Sequence, residues 1–424
     1  MISEDHKRRI MEAVDAAFET QLSFTQELVR HPSLRTREGS AQDLLHEAMA
    51  SRGLEMDRWE LDAGELATHP GGGAVTVSYD GVTNVVGTYR PVSERGRSLI
   101  LNGHVDVVPE GPSESWSRSP WDAPIIDGWL YGRGAGDMKA GLAANLFAFD
   151  AVRAAGFEPA GRIHFQSVVE EECTGNGSLS ALMRNYRADA VIIPEPEEDM
   201  LVRANVGVLW FKVRVTGNPT HPREMNAGFN AIDAAYTTMS ALREVEEKWN
   251  ADRGSHRYFE NLDHPINFNF GSIAGGDWPS SVPAWCEFDV RAALYPGITA
   301  EAAWTELQEC LAQLAGGEVP ISAVATKTGF FSEGYVLEPG SEAEALLERT
   351  HRHVYGRELE SFTTPGYLDG RVFSLYADTP ALVYGPVSEA IHGFDERVSV
   401  ESVRSITKSI ALFIAEWCGI DERP

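Results

Sequence analysis

Apolar residues recur at helical spacing over residues 4–30 and again over 41–52, the pattern of helices with one face against a core. Shorter and more continuous apolar runs follow at 84–89 (NVVGTY), 98–107 (SLILNGHVDV), 162–169 (RIHFQSVV), 189–194 (DAVIIP) and 380–385 (PALVYG). Runs of this length read as buried strands. Helical patterns at 138–156, 177–187 and 400–417 alternate with several of them. Such alternation predicts an α/β layered domain around a mainly parallel sheet.

The middle of the chain is patterned differently. Residues 208–217 alternate as a half-buried strand, and 230–249 read as a helix opened by an Asn230 cap. Strands at 266–276 and 284–297, a helix at 300–314 and a strand at 321–326 complete the segment. The order β-α-β-β-α-β is the split, ferredoxin-like arrangement. The expected organisation is therefore a larger α/β domain from residues 1–203 and 329–424, with a ferredoxin-like unit inserted at 204–328. The stretch HPGGGA (69–74) reads as a flexible loop.

Composition narrows the setting. With 424 residues the chain is long for a single core. A net charge of −27, from 36 Lys and Arg against 63 Asp and Glu, argues against nucleic acid as a partner, because phosphate backbones need clustered cations. No run approaches the roughly 18 apolar residues of a membrane span, and the charged amino-terminal stretch lacks the features of a signal peptide. The four cysteines are scattered without a Cys-x-x-Cys pair, which suits a reducing compartment; the cytoplasm is the expected location.

In an open α/β sheet, sites form at the carboxyl ends of strands. Here those ends carry an unusual set of side chains. The run at 98–107 delivers His104 and Asp106, two positions apart and so facing the same side. The glycine-rich YGRGAGDMKAG (131–141) delivers Asp137, the run at 162–169 leads into Glu170, Glu171 and Glu172, PEP (194–196) places Glu195, and GPVSEAIHGFDE (385–396) contains His392. So many acids at one edge would repel one another unless a cation neutralised them. Two histidines with three or four carboxylates suit Zn²⁺, Mn²⁺ or Co²⁺, and a carboxylate bridging two ions about 3.5–4 Å apart recurs in hydrolytic sites. His104 would then be a ligand and Asp106 would accept its other ring N–H. GRGAGD departs from the G-x-G-x-x-G spacing at Asp137, which removes a nicotinamide oxidoreductase from contention.

These motifs, together with VTGNPTHP…NAGFNAI (215–232) and GGDWPSSVPAWCEFDVR (275–291), resemble the M20 metallopeptidase family, the group of acetylornithine deacetylase, succinyl-diaminopimelate desuccinylase, aminoacylase and carboxypeptidase G2. The resemblance implies a mixed-sheet metallohydrolase domain with an inserted lid and dimerisation domain. It implies one or two divalent ions, one held by His104 and Glu195, the other by Glu172 and His392, with Asp137 bridging. Glu171 would be the general base, taking a proton from the attacking water and returning it to the leaving nitrogen. His221 would stabilise the oxyanion, in this family often in the neighbouring subunit, and Arg291 would bind a substrate carboxylate. Asn230, Ser281, Arg371 and Gly385 would complete the substrate pocket. The partners implied are a small-molecule substrate and a second copy of the chain, with no nucleic acid and no membrane. The activity implied is hydrolysis of a C–N bond in a small carboxylate-bearing substrate, most simply an N-acyl amino acid or small peptide. Ser281 and the segment Leu368–Arg371 depart from common family residues, and Trp278, Trp285, Phe268 and Phe270 add aromatic character nearby. They leave room for an aminohydrolase that releases ammonia from an aromatic amine, as 5-nitroanthranilate aminohydrolase does. A non-catalytic binding protein on the same scaffold would lack a ligand or the base, and every such position here is filled.

Overall fold

The structure, a computed structural model, describes residues 2–317 and 320–423. Among the described residues the two principal sheets comprise β1 (Glu55–Glu60), β2 (Thr83–Tyr89), β3 (Leu99–His104), β4 (Ile163–Val168), β5 (Val191–Ile193), β6 (Gly207–Thr216), β7 (Phe268–Gly275), β8 (Trp285–Leu294), β9 (Ser322–Ser332) and β10 (Ala381–Val383). The larger sheet runs in the order β1-β2-β4-β3-β5-β10. Its four central and outer strands β4, β3, β5 and β10 are parallel, while β2 and then β1 join antiparallel. Parallel strands are covered on both faces by their crossover helices, which is why every residue of β3, β4, β5 and β10 is buried. Helices Glu4–Val29, Ala140–Ala154 and Val400–Trp417 pack against one another on one face of it.

The second sheet is antiparallel throughout, in the order β7-β8-β6-β9. In chain order the segment reads β6, helix Ala231–Ala251, β7, β8, helix Ala300–Ala315, β9. Along β6, Leu209, Phe211, Val213 and Val215 are buried in a core shared with the two helices. The alternate residues Trp210, Lys212, Arg214 and Thr216 face the other side of the sheet. That period of two assigns one sheet face to packing and leaves the other free for function.

The units meet in extended chain. A strand at Leu201–Asn205 pairs with Tyr335–Val336 and Ser361–Thr364 across residue 204, and β9 continues past 328 to Ser332. Where the chain enters and leaves the second sheet, Gly207 and Gly334 lie side by side. A Cβ on either would come within 2.4 Å of a carbonyl oxygen, of Ser332 or Asn205. β1 was not anticipated from the sequence, because its residues EMDRWE form a half-exposed edge with little apolar signal. The HPGGGA stretch is packed, contrary to the flexible loop expected. Arg371 Nη2 donates to Gly71 O (2.8 Å), Gly73 N to Asn176 Oδ1 (2.9 Å) and Ala74 N to Gly329 O (2.7 Å). No helix among the described residues is long and apolar enough to cross a membrane.

Two buried histidines couple this packing to pH. His164 Nδ1 meets the Thr88 hydroxyl at 2.9 Å and His351 Nδ1 the Tyr384 hydroxyl at 2.8 Å. Burial, helped by nearby arginines, pulls each from 6.5 down to about 4. Because the folded state holds them neutral, their contribution is complete above pH 6.5 and is lost as pH falls toward 4. Urea unfolding across that window is expected to lose up to about 1.4 kcal/mol per pH unit for each histidine. Replacing both with glutamine is expected to flatten that part of the slope.

Candidate metal centre and active-site cleft

Parallel neighbours β4, β3 and β5 bring their carboxyl ends to one edge, and with them His104, the turn 170–172 and Glu195. The turn after β4 is organised around Glu170, which takes up left-handed backbone (φ 65°). Its fully buried carboxylate accepts Arg35 Nε and Nη2 (2.5 and 2.8 Å), the Tyr79 hydroxyl (2.8 Å) and the Thr174 hydroxyl (2.9 Å). That anchorage turns Glu171 and Glu172 toward the strand ends.

His104 stands at the centre. Its Nε2 lies 3.0 Å from Asp137 Oδ1, 3.6 Å from Glu195 Oε1 and 3.9 Å from Glu171 Oε2. His392 Nε2 lies 3.2 Å from Asp137 Oδ2 and 3.1 Å from Glu172 Oε2. The two oxygens of Asp137 therefore face two different imidazoles. Ligand atoms of His104, Asp137 and Glu172 all lie within 4.8 Å of one another. The Asp137 loop is held from behind by Glu396, whose carboxylate accepts the amides of Gly136 (3.0 Å) and Asp137 (3.2 Å) and pairs with Arg133 (2.6 Å).

The expectation for Asp106 needs correction. His104 Nδ1 donates to the Asp106 backbone carbonyl (2.9 Å), and the nearer carboxylate oxygen is 3.6 Å away. The carboxylate instead accepts the amides of Glu171 (3.4 Å) and Glu172 (3.2 Å). Asp106 thus fixes the histidine through its main chain and the glutamate turn through its side chain.

Electrostatically the cluster asks for positive charge. Burial raises the carboxyls of Glu171, Glu172 and Glu195, the last to about 7, and neighbouring acids raise them further. Burial works against charge on His104, yet Glu195 and Glu171 hold it well above 6.5; Glu172 above all lifts His392 to about 11. Asp137 is held low despite its burial by the two histidines. Glu195 Oε1 is buried with no hydrogen-bond partner among the described residues, a cost that a cation would remove. Nitrogen and oxygen donors in this number fit a divalent ion of the Zn, Mn or Co kind.

The cluster opens into a cleft of about 870 Å³, lined on one side by Glu171, Glu172 and His392 and on the other by Arg291, Trp210 and Phe330. Arg291 donates to Pro365 O (3.2 Å) and, among the described residues, pairs with no carboxylate; Asp289 is taken by Lys212 (3.0 Å). Other expected substrate residues lie elsewhere. Asn230 and Ser281 line a separate groove, where the Asn230 carboxamide caps its helix by accepting the Ile232 (2.9 Å) and Asp233 (3.3 Å) amides. His221 is exposed, on the turn leading to that groove. Arg371 is wholly buried, bound to Gly71 O and the Tyr367 hydroxyl (3.2 Å), and does not line the cleft. Gly385 has a packing role, since a Cβ there would come within 2.1 Å of Glu195 O. Among the aromatics, Phe268 is buried in the core of the second unit, Trp285 Nε1 bonds Asp277 (3.1 Å), and Trp278 is exposed beside the separate groove. Residues missed from the sequence include Glu396 and Asp369. The buried Asp369 accepts Ser178 Oγ (2.6 Å) and Tyr367 Oη (2.9 Å) beneath the cluster, and burial lifts its carboxyl to about 6.

Strand ends that gather two histidines and four acids around one cleft define a metallohydrolase site. The sequence profile of Peptidase family M20/M25/M40 matches residues 100–416. The chain is 28% identical to the N-formyl-4-amino-5-aminomethyl-2-methylpyrimidine deformylase of Halalkalibacterium halodurans, over 96% of each protein. It is 26% identical to a succinyl-diaminopimelate desuccinylase of Bradyrhizobium sp., over 91% of this chain and 96% of the relative. The crystal structure of an M20 family metallo-carboxypeptidase from Sulfolobus solfataricus superposes with a TM-score of 0.74 at 18% identity, covering 94% of this chain and 99% of that one. This chain belongs to Peptidase family M20/M25/M40. It is a metal-dependent hydrolase acting on C–N bonds.

Metal binding is expected to stabilise the fold. Adding Mn²⁺ or Zn²⁺ at about 1,000 times its dissociation constant should raise the unfolding free energy by about 4 kcal/mol. Elemental analysis of Asp137→Asn should show metal content cut at least by half, because both histidine pairs share that carboxylate.

Proposed function

We propose that the protein removes the acyl group from a small carboxylate-bearing amide, most simply an N-acyl amino acid or a short peptide. The observation that carries this reading is that one cleft is lined both by the Asp137-centred cluster and by an Arg291 guanidinium that has no acidic partner among the described residues. A planar cation in that position suits bidentate pairing with a substrate carboxylate. The named relatives, a deformylase and a desuccinylase, support amide cleavage over release of ammonia from an aromatic amine.

His104, Asp137 and Glu195 would hold one ion, and Asp137, Glu172 and His392 a second. Bound there, divalent ions supply the Lewis acidity that activates water and polarises the scissile carbonyl. Glu171 borders the same cleft and is buried, and that burial raises its proton affinity, which suits it to accept a proton. It takes the proton from water as the C–O bond forms. It then passes that proton to the nitrogen as the C–N bond breaks, leaving a carboxylic acid and an amine, which part as carboxylate and ammonium once the acid's proton moves to the amine. The main-chain bond from His104 to Asp106 fixes the imidazole tautomer, and the Asp106 carboxylate keeps the 171–172 turn in register.

The second unit, residues 204–328, would act as a ferredoxin-like lid and dimerisation domain. Its exposed His221 and its groove with Asn230 and Ser281 stand outside their own cleft. That placement agrees with these residues serving the cleft of a second copy.

Glu171→Gln is the direct test. It should retain bound metal by elemental analysis and lose about 10²–10⁴-fold in kcat on an N-acyl amino acid. A variant that keeps more than a tenth of the wild-type rate would remove Glu171 from the mechanism.

A further inference from the structure

Three aromatic rings line the cleft beside Arg291, and none of the aromatic residues singled out from the sequence is among them. β6 and β8 pair so that Trp210 stands opposite Arg291, and β8 and β7 pair so that Arg291 stands opposite Asn269. Directly opposed side chains share a sheet face with Cβ atoms about 4.5–5.5 Å apart. Asn269, Arg291 and Trp210 therefore form one row, and all three line the cleft. The indole is seated on Gly329, where a Cβ would come within 2.7 Å of its ring. Phe330 meets it edge-on, with centroids 5.1 Å apart and planes at 90°, and Tyr367 lies against Phe330 at 4.3 Å. All three rings line the cleft. Tyr367 Oη is tied to Asp369, so the wall reaches the network beneath the cluster.

Resting on the amide-hydrolysis reading above, we infer that Trp210 and Phe330 are specificity-determining residues that select N-acyl amino acids with an aromatic side chain. The spacing sets the choice. Arg291 and Trp210 are neighbours across one strand pair, so a group that places its carboxylate on the guanidinium carries the same half of the molecule onto the rings. An α-carboxylate and an aryl side chain carried by one amino acid fit that adjacency. Lys212 and Asp289 neutralise each other (3.0 Å), so the guanidinium keeps its charge for the ligand. Edge-to-face and stacked aromatic contacts add to simple burial, which is the advantage a ring has here over a branched aliphatic chain.

The experiment compares N-acetyl-phenylalanine and N-acetyl-tryptophan with N-acetyl-leucine and N-acetyl-methionine. kcat/KM is measured on the metal-loaded enzyme, and equilibrium binding by calorimetry on metal-loaded Glu171→Gln. The aromatic compounds should be favoured about tenfold in both measurements. In Trp210→Leu the aromatic-to-aliphatic ratio should fall about tenfold, mostly through KM, and Phe330→Leu should lower it in the same direction. Equal or better binding of the aliphatic compounds, or a ratio unmoved by Trp210→Leu, overturns the inference. Hydrolysis of neither series with the binding preference intact would overturn amide cleavage and leave the aromatic selection standing.

Discussion

Like charges crowded into a buried place dominate this molecule. Glu171, Glu172, Glu195 and Asp137 come to one edge of a parallel sheet, where water is scarce and each disfavours ionisation of the others. A chain tolerates such a cluster only if it supplies cations, hydrogen bonds or both. Here His104 and His392 face the two oxygens of Asp137, while Glu396 holds the Asp137 loop and the Asp106 carboxylate holds the 171–172 turn from behind. The site is thus a point of local instability held by the rest of the fold, as expected where chemistry needs charge in a dry environment.

The restraint has its own architecture. Glu170 and Glu396 are as buried as the residues they support, and each is satisfied by several donors, Glu170 by Arg35, Tyr79 and Thr174, Glu396 by Arg133 and two amides. These acids point away from the cleft and remain paired. Glu171 and Glu195 point into it and, among the described residues, meet His104 and no Lys or Arg side chain. The same residue type therefore plays two parts within three positions of sequence, and the donors around each carboxylate decide which.

Much of this was legible in the chain. Side-chain alternation identified β6 and the buried face of the second sheet, and the apolar run into His104 located the central strand end. Glu171, Glu172, Glu195, Asp137 and His392 could be placed at one edge because parallel strands share a direction. What escaped depended on backbone proximity or on register between distant segments. Gly385 and Arg371 sit in motifs that resemble pocket residues, yet one admits a carbonyl and the other holds the 71–73 backbone. Asp106 was expected to act through its side chain on His104, and the carbonyl of the same residue reaches the ring first. The sequence drew attention to Trp278, Trp285, Phe268 and Phe270 and not to Trp210 or Phe330, because which residue of β6 opposes Arg291 is set by pairing that no local pattern records.

The paired glycines at the crossing between the sheets carry a mechanical implication. Two runs of chain in backbone contact at Gly207 and Gly334 leave no room for a side chain on either, so bulk introduced there would have to push the chain entering the second sheet away from the chain leaving it.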